Sequence, residues 1–152
     1  GNFGSAQRFT YSCLGDDVNL ASRLESQCKA YGVGIIVGAK TQMQVGEYAT
    51  VELDRVMVKG RTEPERIFAL LGNAGLAQSA GYRALVDRQA AFLQEYRAGR
   101  FTEALELIGA CQAAAAAIDW QQGYYEMMAR RIDTLILDPP SNWTGIHVAG
   151  EK

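Results

Sequence analysis

The stretch Tyr11-Ser12-Cys13-Leu14-Gly15-Asp16-Asp17-Val18-Asn19-Leu20-Ala21-Ser22-Arg23-Leu24-Glu25 holds the residues best suited to chemistry. Asn19 and Arg23 stand four apart, so on a helix an amide and a guanidinium project from one side. The guanidinium can chelate a phosphate through two parallel hydrogen bonds, and the amide can fix a sugar or an attacking oxygen. Groups of this kind stabilise charge that builds up in phosphoryl transfer. Spacing alone leaves the alternative open, since an Asn and an Arg at this distance commonly form only a solvated helical face. Lys59, in Val58-Lys59-Gly60-Arg61, is a compact cation on a glycine-flanked turn and by itself reads as an ordinary turn lysine.

Other chemical readings are weaker. Asp16, Asp17 and Asp54 suit a hard cation such as magnesium, but Asp16 and Asp17 also suit a helix N-terminus, and Asp54 the start of a strand turn. Gly38-Ala39-Lys40-Thr41 ends like a phosphate-binding loop, yet Ala39 stands where its second glycine belongs. Cys13, Cys28 and Cys111 form no CxxC pair; Cys28 and Cys111 fall on apolar faces without a nearby histidine, and a reducing cytosol is the expected setting. His147, the single histidine, has no clustered ligands in sequence.

The elements that must position these residues follow from periodicity. Arg8–Leu14 predicts a strand ended by Gly15, and Asp16 and Asp17 then offer a helix N-cap. Val18, Ala21, Leu24, Cys28 and Tyr31 recur at helical steps, and Gly32 closes that helix. Gly34–Val37 reads as a short buried strand, Ala39–Gly46 as a short helix, Tyr48–Val58 as one or two strands and Arg66–Leu71 as the last strand. Helices mixed with short strands indicate an α+β or α/β class. Gly72–Gly81, rich in Gly, Ala, Ser and Asn, reads as a linker. Three helices follow, marked by Tyr82, Val86, Leu93 and Tyr96; by Phe101, Leu105, Ile108, Cys111 and Ile118; and by Tyr124, Met128, Ile132 and Leu135. Asp138-Pro139-Pro140 stops the third, leaving a short tail with Trp143. The segment around Gly99 resembles one tetratricopeptide-type helical hairpin, and a single unit is not a repeat array.

Composition agrees with a folded chain: 48% of residues are hydrophobic and 21% charged. A net charge of -2 gives no bulk attraction for nucleic acid. No apolar stretch reaches the roughly 20 residues of a membrane span, so no direct membrane contact is expected. The N-terminus lacks the basic and apolar regions of a signal peptide. It also lacks an initiator methionine, from which a fragment of a longer, cytoplasmic or upstream-anchored protein is expected.

The order of motifs resembles the class III nucleotide cyclases. Gly1-Asn2-Phe3-Gly4-Ser5 with Arg8-Phe9 and Tyr11, then Gly15-Asp16-Asp17-Val18-Asn19-Leu20-Ala21-Ser22-Arg23-Leu24, then Leu53-Asp54-Arg55-Val56 with Val58-Lys59-Gly60-Arg61, all match that family's pattern. The later Ala98-Gly99-Arg100-Phe101 and Pro139-Pro140-Ser141-Asn142-Trp143-Thr144-Gly145 pieces resemble helical tails that follow bacterial cyclase domains. The resemblance implies an α+β architecture: part of a ferredoxin-like cyclase catalytic domain over 1–72, a linker over 73–81 and a helical tail over 82–152. It implies conversion of ATP to cyclic AMP and pyrophosphate, with Asn19 orienting the ribose, Arg23 neutralising the α-phosphate and Lys59 holding the β- and γ-phosphates. Ser12 matches the purine-contacting position; as a small hydroxyl it favours adenine over guanine, while a guanylate cyclase or a degenerate nucleotide-binding or scaffold domain stays as the alternative. The family uses two Mg2+ or Mn2+ ions held by aspartates that precede this segment, and builds its sites in a head-to-tail homodimer. These 152 residues alone are therefore expected to be inactive.

Overall fold

A computed structural model describes residues 27–57, 62–120 and 123–148. The chain is α+β, and its described elements begin with helical turns over 27–31. These end as predicted at Gly32, whose φ of +67° lies in the left-handed region that favours glycine. The N–H of Val33 donates to the Cys28 carbonyl and that of Gly32 to the Lys29 carbonyl, at 3.1 and 3.3 Å. This paired pattern satisfies the last carbonyls of the helix, and Cys28 and Val33 bury together beneath it.

Strand β1 (Ile36–Gly38) follows, then α1 (Ala39–Gln44), β2 (Ala49–Met57) and β3 (Glu65–Gly72). Within the predicted Tyr48–Val58 stretch the described residues form one strand, β2, and not two. β3 pairs antiparallel with β1 on one side and β2 on the other.

Within the stretch expected to be a linker, the Asn73 side chain caps a single turn, α2 (Ala74–Ala77), by accepting from Gly75 and Leu76. Ser79 then caps α3 (Ala80–Arg97). α4 (Phe101–Ala117) and α5 (Tyr124–Leu137) complete the helical part. The face that α3 buries is set by Leu85, Gln89, Phe92, Leu93 and Tyr96, so Tyr82 and Val86 lie at its margin rather than its centre. Between α3 and α4, Gly99 turns at φ +80°, and a Cβ there would press on the Trp143 ring at 3.3 Å. Trp143 fills that notch between Tyr96 and Phe101, with ring centroids 5.2 and 5.1 Å away.

Two expectations are corrected. Arg66–Leu71 does not supply the last strand: the tail returns as β4 (His147–Val148), which pairs parallel with Val56 and Met57, giving the described order β1-β3-β2-β4. The signal was too short to see, because two residues have no period. Asp54 does not open a strand turn either; it lies fully buried within β2, beside a bulge in the pairing with β3. One apolar core collects Tyr31, Val51, Leu53 and Ile67 together with Leu85, Phe92, Tyr96, Met128 and Ile132.

Candidate nucleotide site and its supports

Ser12, Asn19 and Arg23 lie outside the described residues, as does Lys59. So do Cys13, Asp16, Asp17 and the predicted strand Arg8–Leu14. What the structure brings together is the framework on either side of them. The helix end at 27–31 follows Arg23 in the chain, and β2 runs directly into the segment with Lys59.

These two supports meet at Asp54. The Tyr31 hydroxyl donates to Asp54 Oδ2 at 2.6 Å, and Arg131 Nη1, from α5, donates to the same oxygen at 2.7 Å. The backbone N–H of Arg55 donates to Oδ1 at 2.8 Å. Arg131 also donates to the Tyr96 hydroxyl at 3.2 Å, and its guanidinium sits 5.3 Å from the centre of the Tyr31 ring. A buried carboxylate survives only when paired and hydrogen-bonded, and this one has both. Burial, followed by the Asp54 carboxylate, pushes the Tyr31 hydroxyl well above its ordinary range; burial likewise raises Tyr96 to about 12. Burial would lower Arg131, but the Asp54 carboxylate outweighs it and holds the guanidinium charged. Both tyrosines therefore act as neutral donors or acceptors, not as bases.

A second node lies on the same strand. Arg66 on β3 grips Glu52 with two bonds of 3.1 Å, and Arg97 on α3 adds a third at 2.9 Å. Burial alone would raise the Glu52 carboxyl, but the two arginines hold it below its usual value. Beside it, buried Gln89 donates to the Glu52 carbonyl at 2.8 Å and to the Tyr124 hydroxyl at 3.0 Å, while accepting from Tyr125 at 2.6 Å. Tyr124 donates onward to the Leu53 carbonyl at 2.6 Å.

A groove of about 580 Å³ opens next to the Asp54 node, with Tyr96, Arg130, Arg131, Trp143 and His147 among its walls. Cys111 is buried, donates to the Arg88 carbonyl at 3.4 Å, and has its thiol pushed up to about 11 by burial, which suits packing and not nucleophilic attack. Among the described residues no three His, Cys, Asp or Glu side chains cluster as metal ligands, and Asp54 spends its oxygens on Tyr31, Arg131 and Arg55. No helix among them is long and apolar enough to cross a membrane.

Sequence reasoning missed Arg131, Glu52, Arg97 and Gln89. Each is a polar residue whose partner lies 14 to 77 positions away in sequence, so no local spacing could reveal it.

Residues 1–72 match the adenylate and guanylate cyclase catalytic domain family. The terminal-differentiation specific adenylate cyclase of Dictyostelium discoideum is 36% identical over 75 residues, covering 47% of this chain and 4% of that protein. Adenylate cyclase 1 of Rhizobium meliloti is 32% identical over 73 residues, 47% of this chain and 11% of that protein. The chain thus spans a small part of the relatives it matches, and no solved structure matches it. The matched stretch holds the Gly15-to-Leu24 motif, β1, β2 and β3, and the Asp54 carboxylate on which Tyr31 and Arg131 converge, so the likeness to the adenylate and guanylate cyclase catalytic domain lies in the first 72 residues.

Proposed function

We propose that this chain forms part of an adenylate cyclase that converts ATP to cyclic AMP and pyrophosphate. The observation that carries this reading is the family match across 1–72, the stretch in which the resemblance assigns roles to Asn19, Arg23 and Lys59. Both relatives bear the name adenylate cyclase, which favours ATP, and the hydroxyl of Ser12 agrees with adenine.

In this reading the ribose 3′-hydroxyl attacks the α-phosphate in line, and pyrophosphate leaves. Asn19 orients the ribose, Arg23 neutralises charge on the reacting phosphate, and Lys59 holds the leaving phosphates. Two Mg2+ or Mn2+ ions would supply activation of the hydroxyl and binding of the phosphates. Among the described residues no cluster of carboxylates or other ligands for them is found. The active form is a head-to-tail homodimer, in which this segment lends one face of each site.

The test is cyclic nucleotide formation with manganese and either ATP or GTP, comparing the 152-residue chain with an upstream-extended chain. Cyclic AMP from ATP alone, made by the extended chain, is expected. Cyclic GMP from GTP would reassign the substrate. No product from a folded dimer would leave a nucleotide-binding or scaffold domain.

A further inference from the structure

Three sets of contacts tie α5 and β4 to the supports that flank the proposed nucleotide residues. At the helix end, the N–H of Gly123 donates to the Gly32 carbonyl at 2.8 Å. The backbones approach so closely there that a Cβ on Gly32 would come within 2.8 Å of the Gly123 carbonyl carbon. The Tyr31 ring stacks on Tyr124 and meets His147 edge-on, each at 6.5 Å between centroids. On β2, Tyr124 bonds the Leu53 carbonyl, and β4 pairs with Val56 and Met57 immediately before the Lys59 segment. Between these anchors stands Arg131, on the carboxylate oxygen that Tyr31 also uses.

We propose that Arg131 is a positioning residue: through Asp54 and Tyr31 it fixes the helix end that follows Asn19 and Arg23 in the chain against the strand that leads to Lys59. This rests on the proposed cyclase function. Arg23 precedes Tyr31 by eight residues on the predicted helix, and Lys59 follows Asp54 by five, so the node joins the two described elements that lie next in the chain to the proposed phosphate ligands. Asp54 is fully buried and the Arg131 side chain only 16% exposed, so the link is shielded from solvent and salt. Its effect falls on turnover more than on nucleotide affinity. Binding is spread over many contacts, whereas a misplacement of about 1 Å at the reacting phosphate can cost 10²-fold in rate.

The experiment uses Arg131→Met, Arg131→Lys and Tyr31→Phe in the upstream-extended chain, with kcat and KM for ATP, and backbone amide exchange in the 152-residue chain. Arg131→Met is expected to lower kcat about 10- to 100-fold while KM moves less than about threefold. Arg131→Lys keeps the charge but loses the plane over Tyr31, and recovers part of kcat. Tyr31→Phe removes one hydroxyl and gives a smaller fall in kcat with the same unchanged KM. In the exchange measurement, Arg131→Met speeds the amides of Lys29 to Val33 and leaves those of α3 and α4 as in the wild type. The proposal is overturned if kcat falls only as the folded fraction falls, if Arg131→Lys is no better than Arg131→Met, or if exchange at Lys29 to Val33 is unchanged. Should Arg131→Met fail to fold, an unaltered kcat in Tyr31→Phe overturns it equally. Absence of cyclic nucleotide from the wild-type extended chain would sink the cyclase reading instead, and exchange alone would then decide whether Arg131 holds the helix end to β2.

Discussion

Residues 27–72 and residues 74–148 contribute different things to the same core. The first stretch offers backbone: β2 has β3 along one side, but β4 reaches only Val56 and Met57 on the other. The second stretch offers side chains that meet β2 where, among the described residues, that side has no strand partner. Tyr82 donates to the Thr50 carbonyl and accepts from its N–H, Gln89 reaches the Glu52 carbonyl, and Tyr124 the Leu53 carbonyl. Unpaired strand edges invite misassociation, and buried ones leave polar groups unsatisfied; helices carrying tyrosine and glutamine remove both problems. The family-matching stretch therefore supplies the candidate chemistry, and the helical stretch supplies the groups that hold its central strand in place.

The sharpest way to break that division is to separate chemistry from packing. Arg23→Ala in the upstream-extended chain is expected to lower turnover 10²- to 10³-fold, the usual consequence of losing one charge-stabilising contact. Its urea unfolding midpoint should stay with the wild type. A lost rate accompanied by a lost midpoint would place Arg23 among the packing residues, and an unchanged rate would remove it from the site.

Asp54→Ala should show the reverse emphasis. It leaves the Arg131 guanidinium buried without its counter-charge and the Tyr31 hydroxyl without its acceptor. Breaking a buried pair by removing one partner costs about 3–5 kcal/mol. Equilibrium urea unfolding of the 152-residue chain measures it. The double variant Asp54→Asn with Arg131→Met should recover much of that loss, because no unpaired charge remains. A double variant as unstable as the single one would mean that the pair matters through shape and not charge.

Gly32→Ala tests the backbone seam between the two stretches. The positive φ strains any other residue, and the added methyl meets the Gly123 backbone. Sparsely populated backbone conformations cost about 1–3 kcal/mol each, and the clash adds to the upper end of that range. The same substitution at Gly34, where a Cβ meets nothing, should change the unfolding free energy by less than about 0.5 kcal/mol. Equal effects at the two glycines would show that the seam is not tight.

What the sequence made legible follows from the reach of each signal. The Gly32 stop, the three tail helices and the break at Asp138-Pro139 are local, set by caps, periodicity and proline, and the structure has them where the pattern puts them. The motif around Asn19 and Arg23 was equally local, but its geometry lies outside the described residues. The Asp54–Arg131 pair was hidden because its members are 77 positions apart and each looks like a surface residue alone. Gln89 was hidden for a related reason: a polar residue on an apolar helix face reads as an interruption until its acceptors on β2 and α5 and its donor on α5 are in view. β4 was hidden because pairing with Val56 and Met57, and not its own two residues, makes it a strand.

The smallest effect concerns Glu52, which accepts from Arg66 in the first stretch and Arg97 in the second. Its carboxyl is held below the ordinary value of 4.5, so it contributes stability that is fully present above that pH and is lost as pH falls through the lowered folded value. The Arg66 side chain is 52% exposed, so solvent screening keeps the contribution to about 1 kcal/mol or less. Unfolding free energies of wild type and Glu52→Gln should therefore differ most at neutral pH and converge as the pH falls through the lowered folded value. High salt should shrink the Arg66 share more than the Arg97 share, because Arg97 is the more buried partner. If Arg97→Met and Arg66→Met lose stability equally and with equal salt dependence, Glu52 belongs to the sheet surface alone. A larger, salt-resistant loss for Arg97→Met would make it a second joint between the strand and the helices, weaker than Asp54 because water still reaches one side of it.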